Sequence, residues 1–363
     1  MTKKKRPTPF VMRPRNTMKI VSIKPAIDTD AVSQPKKKKK KKVKAVRPTR
    51  AETRQELHER RTENSQSFRD KAERGLTRKA ASTGDDLAIL DCLTGKANWL
   101  SEPLASNLHH RDKIADLVSN AMLAKRAESP SLQIGHLTLL NEDWDTSAEG
   151  TDIDINRIMT DTRSAVNKLA PNSISVIESQ MFANVAHCSG GALLSNHTHS
   201  LLWGVDIRSR AEAAVKKLQY RFRSSLDDVD GVKLEWVGPT DMDVIRVAHY
   251  PWKAPNRCKT LYKNVDTGEA NLHQSEANDR FIRYLRMLQI LSMLRTDRIM
   301  FGSGQGGSMR SDILREANSA LRSGDKDRNP PIHSEGIPAY HIELMDRIGE
   351  HRFKLPIIKY RKK

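Results

Sequence analysis

The sequence predicts an α+β fold: an antiparallel sheet with helices packed on it, flanked by helical segments and preceded by a disordered basic N-terminal arm. Three observations lead there. Short, largely alternating apolar runs recur between residues 131 and 248, which is the pattern of strands. Apolar residues three and four apart flank and interrupt these runs, which is the pattern of amphipathic helices. Charge is segregated: the 363-residue chain carries a net +19, but residues 1–80 alone hold 26 basic and 8 acidic residues, leaving a near-neutral body. That split excludes a uniformly basic histone-like protein, and the apolar content of the body excludes a wholly disordered chain.

The arm contains Lys36, Lys37, Lys38, Lys39, Lys40, Lys41 and Lys42 as an unbroken run, with prolines at positions 7, 9, 14, 25, 35 and 48. Like-charge repulsion and low hydrophobicity keep such a segment unfolded. Its lysines would bind nucleic acid by releasing counterions from phosphates. The plainer alternative is a solubilising tail or a nuclear address. Residues 50–80 are charged and free of proline, as expected of a solvated helix leading into the body. The chain has no apolar run long enough to span a membrane. Its basic start lacks the apolar segment of a secretory signal. Cys92, Cys188 and Cys258 are odd in number and far apart, which suggests a reducing compartment. A cytoplasmic protein is expected, nucleoid-associated if bacterial. Four regions follow: the arm at 1–80, a helical lead-in at 81–130, a sheet domain at 131–265, and a helical C-terminal region with a second basic tail at 266–363.

Within the body, Leu87, Ile89, Leu90, Leu93, Ile114, Leu117, Val118, Met122 and Leu123 recur at helical spacing. Residues 131–140 alternate as a strand. Residues 152–169 read as a helix with Asp152 as its N-cap, ended by Pro171-Asn172. Residues 174–182 and 192–203 read as strands joined by a turn at His187-Cys-Ser-Gly-Gly191. A basic helix at 210–226 and short strands at 232–237 and 242–248 complete a β-α-β-β-α-β-β order, with helices on one face. Helices follow at 279–298 and 309–322. Gly302-Ser-Gly-Gln-Gly-Gly307 between them lacks the Gly-Lys-Ser/Thr ending of a phosphate loop and does not follow a predicted strand, so a flexible linker is expected.

The chemistry concentrates in Ser195-Asn-His-Thr-His-Ser-Leu-Leu-Trp-Gly204. His197 and His199, two apart on a strand, point to one face and can share one metal ion. The plainer alternative is two polar side chains on a solvated face. The apolar flanks favour a buried strand, where polar pairs need partners. A hairpin centred near Cys188-Ser189 pairs residues whose numbers sum to about 377 and sets Glu178 opposite His199. Two imidazoles and a carboxylate, with positions left for water and phosphate, would suit Mg²⁺ or Mn²⁺. The alternative for Glu178 is an ordinary exposed strand glutamate. His109 and His110 are neighbours on a helix and face different ways. His136 could face the metal or the core. His249 could orient Tyr250 or lie exposed. Glu142-Asp-Trp-Asp145 reads as an acidic surface loop.

His197-Thr198-His199, on the third strand of this order, resembles the His-hydrophobe-His motif of HUH endonucleases: rolling-circle replication initiators, relaxases and related single-strand transposases. Gly135-His-Leu-Thr-Leu-Leu-Asn141 is similar to their first motif, and Tyr250-Pro-Trp-Lys253 has the Tyr-X-X-Lys form of their third. The resemblance covers residues 130–265. It implies an origin-nicking replication initiator of a plasmid or phage acting on single-stranded or hairpin DNA, with host replication proteins as further partners. It implies metal-binding His197, His199 and Glu178, Tyr250 as nucleophile and Lys253 as its helper. The implied products are a 5′-phosphotyrosine link and a free 3′-OH. The sequence departs from the pattern at two places. Thr198 stands in the hydrophobic slot, and Pro251 pushes Tyr250 toward extended backbone, unless Tyr250 caps a helix with Pro251 at its first position. Tyr262 and Tyr220 are the next candidate nucleophiles. The competing functions are a non-catalytic nucleic-acid-binding protein with this fold, which the Pro251 departure favours, and a metal-dependent nuclease that uses water.

Overall fold

The computed structural model describes residues 52–77, 83–96, 102–150, 152–183, 185, 191–226, 229–255, 259–263, 270–273, 281–323 and 331–360. The expectations for the arm and Lys36 to Lys42, for most of the turn at 187–191, for Cys188 and Cys258, for the start of the 279–298 helix and for the last three residues lie outside the described residues. So does the side chain of Tyr262. Three helices come first: α1 (Arg54–Thr77), α2 (Gly84–Thr94) and α3 (Leu108–Glu128). Then follow β1 (Gln133–Leu140), β2 (Thr146–Ser147), β3 (Asp152–Asp154), α4 (Ile155–Leu169), β4 (Asn172–Ala183), β5 (Ala192–Gly204), α5 (Arg208–Leu218) and β6 (Val232–Trp236). Helix α6 (Asp241–His249) runs into a 3-10 turn, Tyr250–Trp252. The remainder is β7 (Lys259–Lys263), β8 (Ala270–His273), α7 (Ile282–Ser292), α8 (Thr296–Ile299), β9 (Met300–Ser303), α9 (Gln305–Arg322), α10 (Ile337–Arg347) and β10 (Ile357–Lys359). No described helix is long and apolar enough to cross a membrane.

The main sheet runs β6-β1-β5-β4-β7-β8, with β2 added to β5 and β9 to β4. Every pairing in it is antiparallel except β4 with β7. The long hairpin β4–β5 is its centre and is buried along almost its whole length. Odd-numbered residues of β5 (His197, His199, Leu201) face one way and even-numbered ones the other. Helix α4 lies on the even face, where Thr162 and Thr198 hydroxyls are 3.2 Å apart. Helix α6 and its 3-10 turn lie on the odd face, where the Tyr250 ring meets His199. Helices therefore cover both faces, not one. Residues 51–363 form a single compact unit, and the sheet draws β9 from the C-terminal region expected to be helical.

Several predicted elements change. Residues 242–248 are helix α6, not a strand. Thr240 and Asp243 form a capping box, each side chain accepting the other's backbone N–H (3.2 and 3.1 Å). The burial of Val244, Ile245 and Ala248 then follows helical spacing. Helix α4 starts at Ile155 with Asp154 as its cap, because Asp152–Asp154 instead pairs in parallel with β10. Helix α5 ends at Leu218, short of 226. The predicted 279–298 helix divides into α7 and α8.

The expected solvated helix is α1, and it buries Leu57, Arg61, Phe68, Ala72 and Leu76 along one stripe. Abundant charge on its other faces hides that periodicity from a composition reading.

Gly302 to Gly307 does join a strand to a helix, β9 to α9, and it is tightly packed rather than a linker. A Cβ on Gly306 would stand only 1.8 Å from the Ser173 carbonyl oxygen, so only glycine lets α9 sit against β4.

The N- and C-terminal helices are tied by Asp86 of α2, which takes two hydrogen bonds from Arg347 of α10 at 3.0 and 2.7 Å. Burial would raise the Asp86 carboxyl, but Arg347 and the Thr83 cap hold it below its ordinary value. A lowered folded pKa contributes stability above the unfolded value, and that contribution disappears as pH falls through the folded one. Arg347→Ala should cost about 2 kcal/mol at pH 7, because it leaves a buried carboxylate without its charge partner, held by the Thr83 cap. The cost should shrink as pH falls through the Asp86 pKa; urea denaturation midpoints across acidic pH check both.

Candidate active site

Strand β5 is buried but polar, so each of its polar side chains has to find a partner. On the even face they do so pairwise. Asn196 donates to the Trp144 carbonyl (2.8 Å) and accepts from Ser179 (2.6 Å). Thr198 meets Thr162, and Ser200 meets Ser175 at 2.7 Å. The Thr198 hydroxyl is thus matched by a threonine on α4.

On the odd face, both imidazoles converge on one carboxylate. Glu178 Oε2 lies 3.0 Å from His199 Nε2 and 3.4 Å from His197 Nε2. The register differs from expectation: Glu178 pairs with His197, and Val176 pairs with His199. The numbers sum to 375, so the hairpin is centred one residue earlier. A two-residue change in partner leaves every side chain on its face, so Glu178 still reaches both histidines. It is a buried ligand candidate, not an exposed strand residue.

Burial would raise the Glu178 carboxyl, but the Lys253 ammonium and the hydrogen bonds from His197 and His199 hold it well below the usual carboxylate range. Lys253 Nζ is 3.6 Å from Glu178 Oε1. Burial opposes the Lys253 charge, yet Glu178 and Tyr250 raise its pKa above the ordinary lysine value. Burial pushes His199 down to about 3 against the Glu178 hydrogen bond. At neutral pH the His199–Glu178 contact is therefore a hydrogen bond from a neutral ring, not an ion pair.

The potential ligand atoms of Glu178, His197 and His199 lie within 4.8 Å of one another. The 3.0 and 3.4 Å separations match the spacing of roughly 3 Å between neighbouring ligands bound at about 2.1 Å. His197 Nδ1 and His136 Nε2 are buried without a hydrogen-bond partner, so protein atoms alone do not satisfy this cluster. Neutral imidazole nitrogens and an ionised carboxylate are the donor states that a divalent ion requires. The three residues fit a metal ion. The Thr138 hydroxyl is 3.1 Å from His199 Nδ1 and can donate or accept, so it holds the ring in either tautomer.

Tyr250 and Lys253 come to the same place. The Tyr250 ring centroid is 5.1 Å from that of His199, edge to face, and Lys253 Nζ is 3.7 Å from the Tyr250 centroid. Tyr250 is helical (φ −54°, ψ −45°), not extended, despite the following proline. It caps the C-terminus of α6 and opens the 3-10 turn, and Pro251 sits inside the first turn of that segment, where a missing N–H costs nothing. The Tyr250 ring is 47% exposed and stands in an open cleft of about 750 Å³ shared with His136, His197, Lys233, Arg246 and Lys259. Tyr220, 82% exposed at the end of α5, has no place in the cluster.

His136 is the residue that the strand pattern left open. It stacks on His199 (5.2 Å, 22°) and meets the Tyr250 ring edge-on (5.7 Å). Its place two residues before Thr138 on β1 was the available signal, since both share the histidine face. His249 is neither exposed nor at the cluster; it is buried against Arg61 and Asp116. His110 bonds Thr296. In the acidic loop, Asp143 pairs with Arg157, and Asp145 accepts the Asn196 amide, with burial raising its carboxyl to about 6.

A scan of family models, a search of curated proteins and a search of solved structures each returned no match to this chain.

Calorimetric titration should find one Mn²⁺ site per chain, abolished in Glu178→Ala and in His199→Ala. Thr138→Val, which removes the support of a ligand rather than a ligand, should weaken it about 10-fold.

Proposed function

We propose that this protein is a metal-assisted tyrosine nickase of single-stranded DNA, of the replication-initiator kind. The observation that carries the proposal is the placement of Tyr250, which opens the 3-10 turn, and Lys253, which caps it, against the Glu178–His197–His199 cluster. A divalent ion, Mg²⁺ or Mn²⁺, held by those three residues would polarise a bound phosphodiester. Tyr250 gives its phenolic proton to water in the open cleft, and its oxygen attacks phosphorus. The P–O3′ bond breaks, the leaving oxygen takes up a proton as a free 3′-OH, and phosphorus remains joined to the 5′ side as a phosphotyrosine. The Lys253 ammonium stabilises the negative charge that develops on the phenolic and phosphoryl oxygens. His199 and Glu178 stay neutral and ionised, respectively, so neither consumes a proton. The half-exposed Tyr250 ring leaves the phosphate a route in from the cleft. A single strand is the fitting substrate, because its backbone can be drawn into a cleft without melting a duplex. The helical backbone of Tyr250 supports this reading over a non-catalytic binding protein, because Pro251 does not force Tyr250 into extended geometry.

Labelled single-stranded and hairpin DNA incubated with Mn²⁺ should leave label on the protein in a denaturing gel. Tyr250→Phe should abolish that label, and Lys253→Ala should slow its appearance about 100-fold. Cleavage without linkage would instead mark a water-using nuclease. DNA binding with neither outcome would mark a binding protein.

A further inference from the structure

Two buried arginines from outside the sheet meet at the turn that carries Tyr250 and Lys253. Arg61 comes from α1 and Arg111 from α3, and they are 6% and 5% exposed. The end of a helix leaves carbonyl groups without partners. Here the 3-10 turn closes one of them, with the Lys253 N–H donating to the Tyr250 carbonyl. The guanidinium groups take the others. Arg111 Nε donates to the Trp252 carbonyl (3.1 Å), and its Nη2 donates to those of Lys253 (2.7 Å) and Pro251 (3.4 Å). Its Nη1 donates to the Ala105 carbonyl (3.1 Å), anchoring the group in the segment that precedes α3. Arg61 donates to the His249 carbonyl (3.1 Å) and at longer range to that of Trp252 (3.5 Å).

The arginines are themselves held. Arg61 Nε donates to Asp112 Oδ1 at 2.9 Å. Its Nη1 is 2.7 Å from His249 Nδ1. A guanidinium can only donate, so Nδ1 accepts and the His249 proton sits on Nε2. Nε2 in turn lies 3.2 Å from Asp116 Oδ1. Asp112 and Asp116 are one turn apart on α3. Burial lowers Arg111 to about 10, against the raising effect of Glu178 and Asp112, so it stays charged at neutral pH.

We infer that Arg61 and Arg111 are positioning residues that lock the 249–253 turn, holding Tyr250 and Lys253 against the histidine–glutamate cluster and making α1 and α3 part of the site. The planar, forked donors are essential to this role. A lysine ammonium at the same place is a point charge with no fixed fork and cannot span four carbonyls. The catalytic consequence rests on the nickase proposal; the mechanical one does not.

The test uses the full chain with Arg111→Lys and Arg61→Lys made separately. Mn²⁺ affinity within about 2-fold of wild type shows the metal ligands and fold intact, since none of the hydrogen bonds described for either arginine goes to a ligand and lysine keeps the positive charge near Glu178. Amide exchange of residues 249–254 should then accelerate while β4 and β5 stay protected. Single-turnover formation of the protein–DNA link at saturating DNA should slow about 10- to 100-fold, with the apparent affinity for DNA changed less than about 3-fold. Unchanged exchange in the turn, or an unchanged linkage rate, overturns the inference. So does loss of Mn²⁺ binding with general loss of protection in both variants, which would make the arginines supports of the whole fold. If wild type forms no link on any strand, the nickase proposal fails, and exchange in the turn alone decides the positioning role.

Discussion

The burial of a polar hairpin is the constraint on which the rest of the structure depends. Strand β5 places Ser195, Asn196, His197, Thr198, His199 and Ser200 under cover in succession. An apolar strand would need only contact; this one needs matched donors and acceptors. The even face is satisfied by Trp144, Ser179, Thr162 and Ser175; on the odd face Glu178 takes both imidazoles but leaves His197 Nδ1 without a partner. These pairings hold the β4–β5 register. A one-residue slip would turn the histidines onto α4 and leave Glu178 without them.

The same constraint sets the electrostatics. Glu178 is buried and ionised because Lys253 and two imidazoles surround it. Lys253 is buried and charged because Glu178 faces it. Each charge depends on the other, and both depend on the turn that carries Lys253 being held still. That turn belongs to α6, but its carbonyl groups end on arginines of α1 and α3. The helical lead-in is thereby joined to the centre of the sheet by hydrogen bonds as well as by packing.

Much of this was legible in the chain. The period-two runs located β1, β4, β5 and β6, and the His-X-His spacing on an apolar strand pointed to a shared face. Glu178 was reachable as a partner even with the hairpin centre misplaced by one residue, because the change in pairing was even. Residues 242–248 misled for a physical reason. Val244, Ile245 and Val247 are β-branched and suit a strand locally; the Thr240–Asp243 capping box decides for helix. Pro251 misled similarly. The steric rule disfavours helical backbone before proline, but packing of Trp252 and Arg111 around the turn overrides it. Gly302, Gly304 and Gly306 looked like slack and are instead places of closest approach.

By itself, then, the sequence determined which side chains could share a face: His197 with His199, and Glu178 on the partner strand. This is a local property, set by the alternation of a strand. It also determined that Tyr250 and Lys253 travel together, since only Pro251 and Trp252 separate them. Only the tertiary structure decided that the two sets meet. That meeting depends on a helix end, a 3-10 turn and two guanidinium groups more than a hundred residues away in the chain. No local pattern marks such contacts, because an arginine that binds carbonyl groups leaves no complementary residue in the sequence to find.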